Sequence, residues 1–154
     1  MVTDVLGALL QELGSAMQLS NLRPDANNTC LIKFKDGILS QLEVDRSGRF
    51  LVIGIDLGEI PKGRYRENLF FEALKANAMP LPRYGIFGYS QQADRLILFE
   101  YMNLRDLTGQ KIADRLSFLL EKGRVWKEAI AKEDIPVTMP IRSSGTQGIF
   151  GLRP

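Results

Sequence analysis

The chain has 154 residues, 45% of them hydrophobic and 25% charged, with one cysteine and no histidine. The missing histidine removes Ser-His-Asp and Cys-His catalysis, His-containing zinc sites and the commonest general base, and a lone cysteine makes neither an internal disulfide nor a Cys-rich metal site. Lys and Arg total 20 against 18 Asp and Glu. Because Arg142 and Arg153 lie beyond Ile135 and every carboxylate lies before it, the folded part is expected to be neutral, which does not point to nucleic acid. The length predicts one domain whose core needs no staple. No apolar run is long enough for a membrane span, and Met1-Val2-Thr3-Asp4 lacks the basic start and apolar stretch of a signal peptide.

Val2 to Leu19 reads as an amphipathic helix, with Val2, Leu6, Leu9, Leu13 and Ala16 on one face and Leu10 and Met17 on its flank. After a loop at Pro24–Asn28, Cys30–Phe34 and Ile38–Val44 read as strands joined at Asp36-Gly37, a dipeptide that favours a two-residue hairpin turn. A second turn, Asp45–Gly48, leads into Phe50–Ile55, which completes a three-strand antiparallel meander. Pro61 announces a second helix, Arg64 to Met79, ended by Pro80 and Pro82. On it Leu69, Ala73 and Ala76 form one stripe, while Phe70, Phe71, Leu74 and Ala78 extend the apolar surface past half the circumference. One core contact needs a stripe of only about 100°, so this helix is expected to bury a second face. Gly85–Tyr89 and Arg95–Tyr101 read as another hairpin.

A third helix, Thr108 to Ala131, has Ile112, Leu116, Leu119, Trp126 and Ile130 as its core stripe and Phe118 and Val125 on another face. Gly123, in the middle of that stripe, implies a close backbone contact, since glycine there costs about 1 kcal/mol against alanine. The expected organisation is an α+β domain over residues 1–135 and a flexible Pro-, Ser- and Gly-rich tail over 136–154, in which the Ile149-Phe150 pair is the one feature able to dock.

Chemistry is sparse. Cys30 stands in an apolar run and reads as a buried thiol. Gly85-Ile86-Phe87-Gly88 lacks the strand-turn-helix context of a nucleotide loop and reads as a twisted or bulged strand. Asp56 and Glu59 flank Leu57-Gly58 at a strand end, and paired carboxylates can run acid/base chemistry, but nothing else in the sequence converges on them, and a solvated loop is the expected state. Glu43 and Asp45 read as the wet face of a strand.

The order of elements resembles the class I type III secretion chaperones of the Tir-chaperone (CesT) type. The matching residues are Leu57-Gly58-Glu59-Ile60-Pro61, Leu69…Ala73-Leu74-Lys75-Ala76-Asn77, Gly85 and Gly88, Leu96-Ile97-Leu98, Leu107-Thr108-Gly109, and Leu116…Leu119…Trp126…Ile130. The ordered set, over about Met1 to Lys132, carries the likeness. It implies a compact α+β dimer in the bacterial cytoplasm, acting without ATP or any cofactor. It also implies a partner: an extended segment of a secreted effector or secretion-gate protein, held before export. In such proteins the second helix and a neighbouring strand form the dimer interface, which here places Phe70, Phe71, Leu74 and Ala78 between subunits. A homodimer and a heterodimer with a related chaperone are both open. Neither membrane insertion nor nucleic acid is implied, although the neutral fold departs from the usual acidity of the family.

For the bound segment, Leu10 and Met17 are candidates if the flank of the first helix stays open, and core residues if it does not. Phe118 and Val125 on the third helix form a second candidate patch. The alternative function is a regulatory or structural dimer that uses the same surfaces for a folded partner. A small carboxylate enzyme using Asp56 and Glu59 is the third.

Overall fold

The structure, a computed structural model, describes residues 5–137. The expected helix start at Val2 and the tail from residue 138 onward lie outside the described residues. In chain order the elements are α1 (Val5–Met17), β1 (Thr29–Lys33), β2 (Leu39–Val44), β3 (Phe50–Glu59), α2 (Arg64–Asn77), β4 (Ile86–Ser90), β5 (Arg95–Asn103) and α3 (Gly109–Ala131). The second strand segment therefore has two strands. It does not stand apart: all five strands form one antiparallel sheet in the order β1-β2-β3-β5-β4.

The helices all serve one face of that sheet. α3 lies across β3 and β5, α1 packs beside α3, and α2 covers β4. The predicted α3 stripe, Ile112, Leu116, Leu119, Trp126 and Ile130, is buried throughout. Thr108 caps the helix by accepting a hydrogen bond from the Lys111 amide (3.2 Å). Gly123 sits directly on the sheet: a Cβ there would stand 3.0 Å from an Ile55 methyl and 3.4 Å from Leu57. The contact is with side chains of β3, not with backbone.

Several expectations are corrected. The Asp36-Gly37 turn is not a two-residue turn. The Phe34 amide bonds Ile38 and the Gly37 amide bonds the Phe34 carbonyl, enclosing Lys35, Asp36 and a Gly37 at φ 87°. This is a three-residue loop in which the glycine takes the left-handed position. Asp45 is a turn residue, not part of a strand's wet face; its carboxylate accepts from Ser47 Oγ and from the Phe50 amide, and these bonds lower its pKa. Asp56 and Glu59 do not lie in a solvated loop. β3 continues through them by a bulge between Asp56 and Gly58, and Asp56 holds Arg95 of β5 in a two-pronged ion pair (Nε–Oδ1 2.8 Å, Nη2–Oδ2 2.8 Å).

Leu10 is also corrected. It is 1% exposed and belongs to the core. α1 ends with Gln18 at φ 56°, and the Leu19 amide returns to the Gly14 carbonyl (2.8 Å). This helix stop turns the chain back, so that Leu19 and Leu22 pack against the core along the flank of α1. Met17, at the last turn, is half-buried against the same core. The periodic stripe shifts to match: Leu6, Leu9, Leu10 and Leu13 are inside and Ala16 is exposed.

Candidate binding site

With three helices on one face, the other face of the sheet is left bare among the described residues. The strand register sets out what it presents. One row across the sheet is Lys33, Leu39, Asp56, Ile97 and Gly88; the next is Leu31, Gln41, Gly54, Phe99 and Ile86; the third is Thr29, Glu43, Val52 and Tyr101. Leu31 is 60% exposed and Tyr101 54%, with Val52, Ile97 and Phe99 half-buried between them. The surface is hollow, enclosing about 540 Å³. Two glycines shape it. Gly54 leaves the centre without a side chain, and the Phe99 ring lies over Gly88, where a Cβ would meet it at 2.9 Å. Tyr101 stands edge-on to both Phe99 and Phe50, at 6.0 and 6.1 Å between centroids. The Asp56–Arg95 pair closes one end of the hollow with charge.

The two edges of the sheet differ. On β4, Phe87 faces Leu98 and turns its amide and carbonyl outward, and Asn77 of α2 engages both (2.8 and 3.0 Å). That edge is closed at its middle to an added strand. On β1 the outward groups of Thr29 are taken by Asp25, through its carboxylate (3.0 Å) and its own amide (2.7 Å). By the alternation of an antiparallel ladder, Leu31 and Lys33 then turn their backbone groups away from β2, along the open edge. An extended segment laid there pairs with β1 and reaches the hollow with alternate side chains.

The residues singled out from sequence fall in three places. On α2, Leu69, Ala73 and Ala76 face the core, while Phe71 (64% exposed), Leu74 (67%) and Ala78 face outward. Phe70 is separate from them, half-buried against Tyr89 at 5.0 Å between ring centroids. On α3, Phe118 and Val125 are exposed, and Phe118 is stacked flat on Tyr84 (4.3 Å, 2°). Leu10 and Met17 are with the core, as described. The open sheet face was not foreseen. Its signal was present: Phe50–Ile55 and Leu96–Phe99 carry apolar residues at nearly every position, so both faces of β3 and β5 are apolar. A strand with one wet face alternates instead.

At the end of the hollow, the hydrogen bonds to Asp56 raise the pKa of Arg95; other shifted groups, among them Cys30, Glu100 and Lys122, lie away from the open face. Burial pushes the Cys30 thiol pKa up. Glu100 of β5 points under α3, where burial raises its pKa and Arg115 (2.6 Å) opposes the rise. Burial lowers the pKa of Lys122, which donates to the Tyr84 carbonyl (2.9 Å). The Glu100–Arg115 pair ties α3 to the sheet, and Lys122 ties it to the segment before β4. Among the described residues no group of three or more His, Cys, Asp and Glu side chains is placed to hold a metal ion, and no helix is long and apolar enough to cross a membrane.

The sequence profile of the Tir chaperone protein (CesT) family matches residues 8–127. The chain belongs to that family. It is a type III secretion chaperone in sequence pattern and in fold, and the Asn77 that closes the β4 edge is part of the pattern by which it resembles the family. No curated protein sequence matches it. Among solved structures this chaperone is similar to a chain of the HopA1–SchA chaperone–effector complex, at 20% identity and TM-score 0.68, over 82% of this chain and 96% of that one. It is also similar to a chain of the Yersinia pestis complex of the chaperone SycH with a fragment of YscM2 (19%, TM-score 0.62, over 79% and 98%). A chain of the Pseudomonas aeruginosa ExoT–SpcS complex matches at 15% identity and TM-score 0.59, over 79% and 97%.

Proposed function

We infer that this chaperone holds an extended segment of a type III secreted protein on the open face of its sheet, before export and without catalysis. The observation that carries the reading is the hollow apolar face of β3 and β5, in the same sheet as β1, whose edge is open among the described residues. A large apolar surface left bare on a folded domain marks a partner site. Its form suits a strand: a free ladder edge for main-chain bonds, with Leu31, Val52, Phe99 and Tyr101 for alternate side chains. The neighbouring structures support a partner-binding role: they include a chaperone–effector complex and a type III secretion chaperone in complex with a fragment of YscM2. A site that works by burial and main-chain pairing needs no nucleophile or cofactor, in keeping with the missing histidine. The place of action is the bacterial cytoplasm.

The assembly is a dimer through α2, with Phe71, Leu74 and Ala78 at its centre and Phe70 with Tyr89 at its rim. The closed β4 edge beside α2 keeps that interface from running on as a continuous sheet. Phe118 and Val125 serve as an outlying contact for a bound segment that continues past the sheet. Co-expression with the N-terminal segment of a type III effector tests the function. The account expects a soluble complex with the segment alone. Capture that requires the effector's folded domain, and fails with the segment, would support a partner of the folded kind instead.

A further inference from the structure

Gly54 stands at the centre of the open face, and nothing in the fold requires a glycine there. Its backbone is ordinary strand, unlike that of Gly58 on the same strand, whose φ is 110°. Gly88, Gly109 and Gly123 are each kept small by a neighbour within 3.0 Å of where a Cβ would stand. At Gly54 a Cβ would meet the Gln41 carbonyl and an Ile97 methyl, both at an ordinary 3.9 Å. Glycine inside a strand weakens it, and where the chain's own packing does not demand it, it marks a place that another molecule approaches closely. The neighbouring ring makes the vacancy plainer. Phe99 pairs with Gly54 between β3 and β5, yet its ring leans the other way and covers Gly88. The floor over Gly54 is left uncovered among the described residues, walled by Val52, Ile97, Phe99 and Tyr101 within a hollow of about 540 Å³.

The same walls select the occupant by charge and by shape. Glu43 borders the hollow and repels a carboxylate, while Arg95, which also borders it, is already engaged by Asp56. An ammonium would lose its water against the apolar floor. An aromatic ring gains twice. It covers a glycine backbone, as Phe99 does at Gly88, and it meets the rings of Phe99 and Tyr101, which themselves stand edge-on at 6.0 Å. We propose that Gly54 is the specificity-determining position of the open face, receiving one aromatic side chain from the part of the bound segment that crosses the sheet. The inference rests on the reading of that face as the cargo surface and names the side chain that the surface selects.

The test uses the full chain and the variants Gly54→Val, Gly54→Ala and Val52→Asp. The probes are N-acetyl-L-phenylalaninamide and N-acetyl-L-leucinamide, titrated against amide NMR spectra, with thermal unfolding of the same samples. The phenylalanine probe is expected to shift the amides of Gln41, Gly54 and Phe99 with a dissociation constant of roughly 1 mM, as suits a ligand of its size. The leucine probe should bind about fivefold more weakly, since it lacks the ring contacts. Gly54→Val should raise the melting temperature by about 2 °C, because the strand no longer carries a glycine. By filling the floor it should weaken the phenylalanine probe about tenfold or more. Gly54→Ala, the smaller step, should change both in the same directions and keeps the test decisive if the valine variant misfolds. Unchanged phenylalanine binding in the Gly54 variants, or a leucine probe that binds as tightly, overturns the aromatic subsite. A melting temperature lowered by Gly54→Ala also overturns it, because the fold itself would then require the glycine. Binding of 8-anilinonaphthalene-1-sulfonate separates this failure from that of the face. Dye binding weakened by Val52→Asp spares the cargo face when the subsite fails, and dye binding indifferent to Val52→Asp overturns the reading of the face itself.

Discussion

Replacing Gly109 by alanine is expected to cost about 3 kcal/mol of stability, at the upper end of the usual range for overpacked sites. Gly109 opens α3 against α1, and a Cβ there would stand 2.5 Å from the Glu12 carbonyl carbon and 2.6 Å from the Leu13 amide nitrogen. Those atoms are backbone, so no side chain can swing aside. The Gly109 amide also donates to Glu12 Oε2 (2.8 Å), and that bond is lost when the helices part. An ordinary glycine-to-alanine change at the start of a helix would be neutral or favourable. The sign therefore separates close helix contact from simple propensity. Urea unfolding reads it directly: a midpoint unchanged in Gly109→Ala would show that α1 and α3 sit further apart than described.

Phe71→Glu is expected to weaken the dimer at least a hundredfold while leaving the subunit folded. Phe71 is 64% exposed in the single chain, so the charge meets water there, and a surface change of this kind alters stability by about 0.5 kcal/mol or less. Across a two-fold interface the substitution acts twice, and each copy buries an unpaired carboxylate. Lys75, whose ammonium lies 5.2 Å from the Phe71 ring centroid, offers at most a surface ion pair in return, about 0.2–1 kcal/mol. Phe70→Glu is the contrasting case, because it unseats the packing on Tyr89 and should lower stability as well. Light scattering at micromolar concentration, with thermal unfolding of the same samples, checks both. A Phe71→Glu protein that stays dimeric would place the interface elsewhere.

Much of this fold was legible in the sequence, for a physical reason. The α3 stripe from Ile112 to Ile130 and the α2 split between Leu69-Ala73-Ala76 and Phe71-Leu74 follow from helical periodicity, which survives any tertiary arrangement. What escaped depended on non-local packing. β3 looked finished at Ile55 because Asp56, Gly58 and Glu59 read as loop chemistry, yet its burial keeps alternating through Leu57 and pairing with Leu96 and Arg95 carries it on to Glu59. Leu10 looked like a free edge because its cover, Leu19 and Leu22, comes from an irregular stretch without a period. The open face escaped because an apolar residue in a strand gives no indication of which side a helix will cover. Val52, Ile97 and Phe99 became a surface only when all three helices took the other side. The resemblance to the family supplied the expectation of a bound extended segment, and the register of five strands supplied the place proposed for it.

The central claim is that cargo lies as an added strand along β1 and across the open face. Amide hydrogen exchange, compared between the free chaperone and its complex with an effector N-terminal segment, tests it most directly. The outward amides of Leu31 and Lys33 should exchange rapidly in the free protein and slow by an order of magnitude or more on binding, while Phe87, already held by Asn77, stays unchanged. Unaltered exchange at Leu31 and Lys33 in a saturated complex would contradict the account.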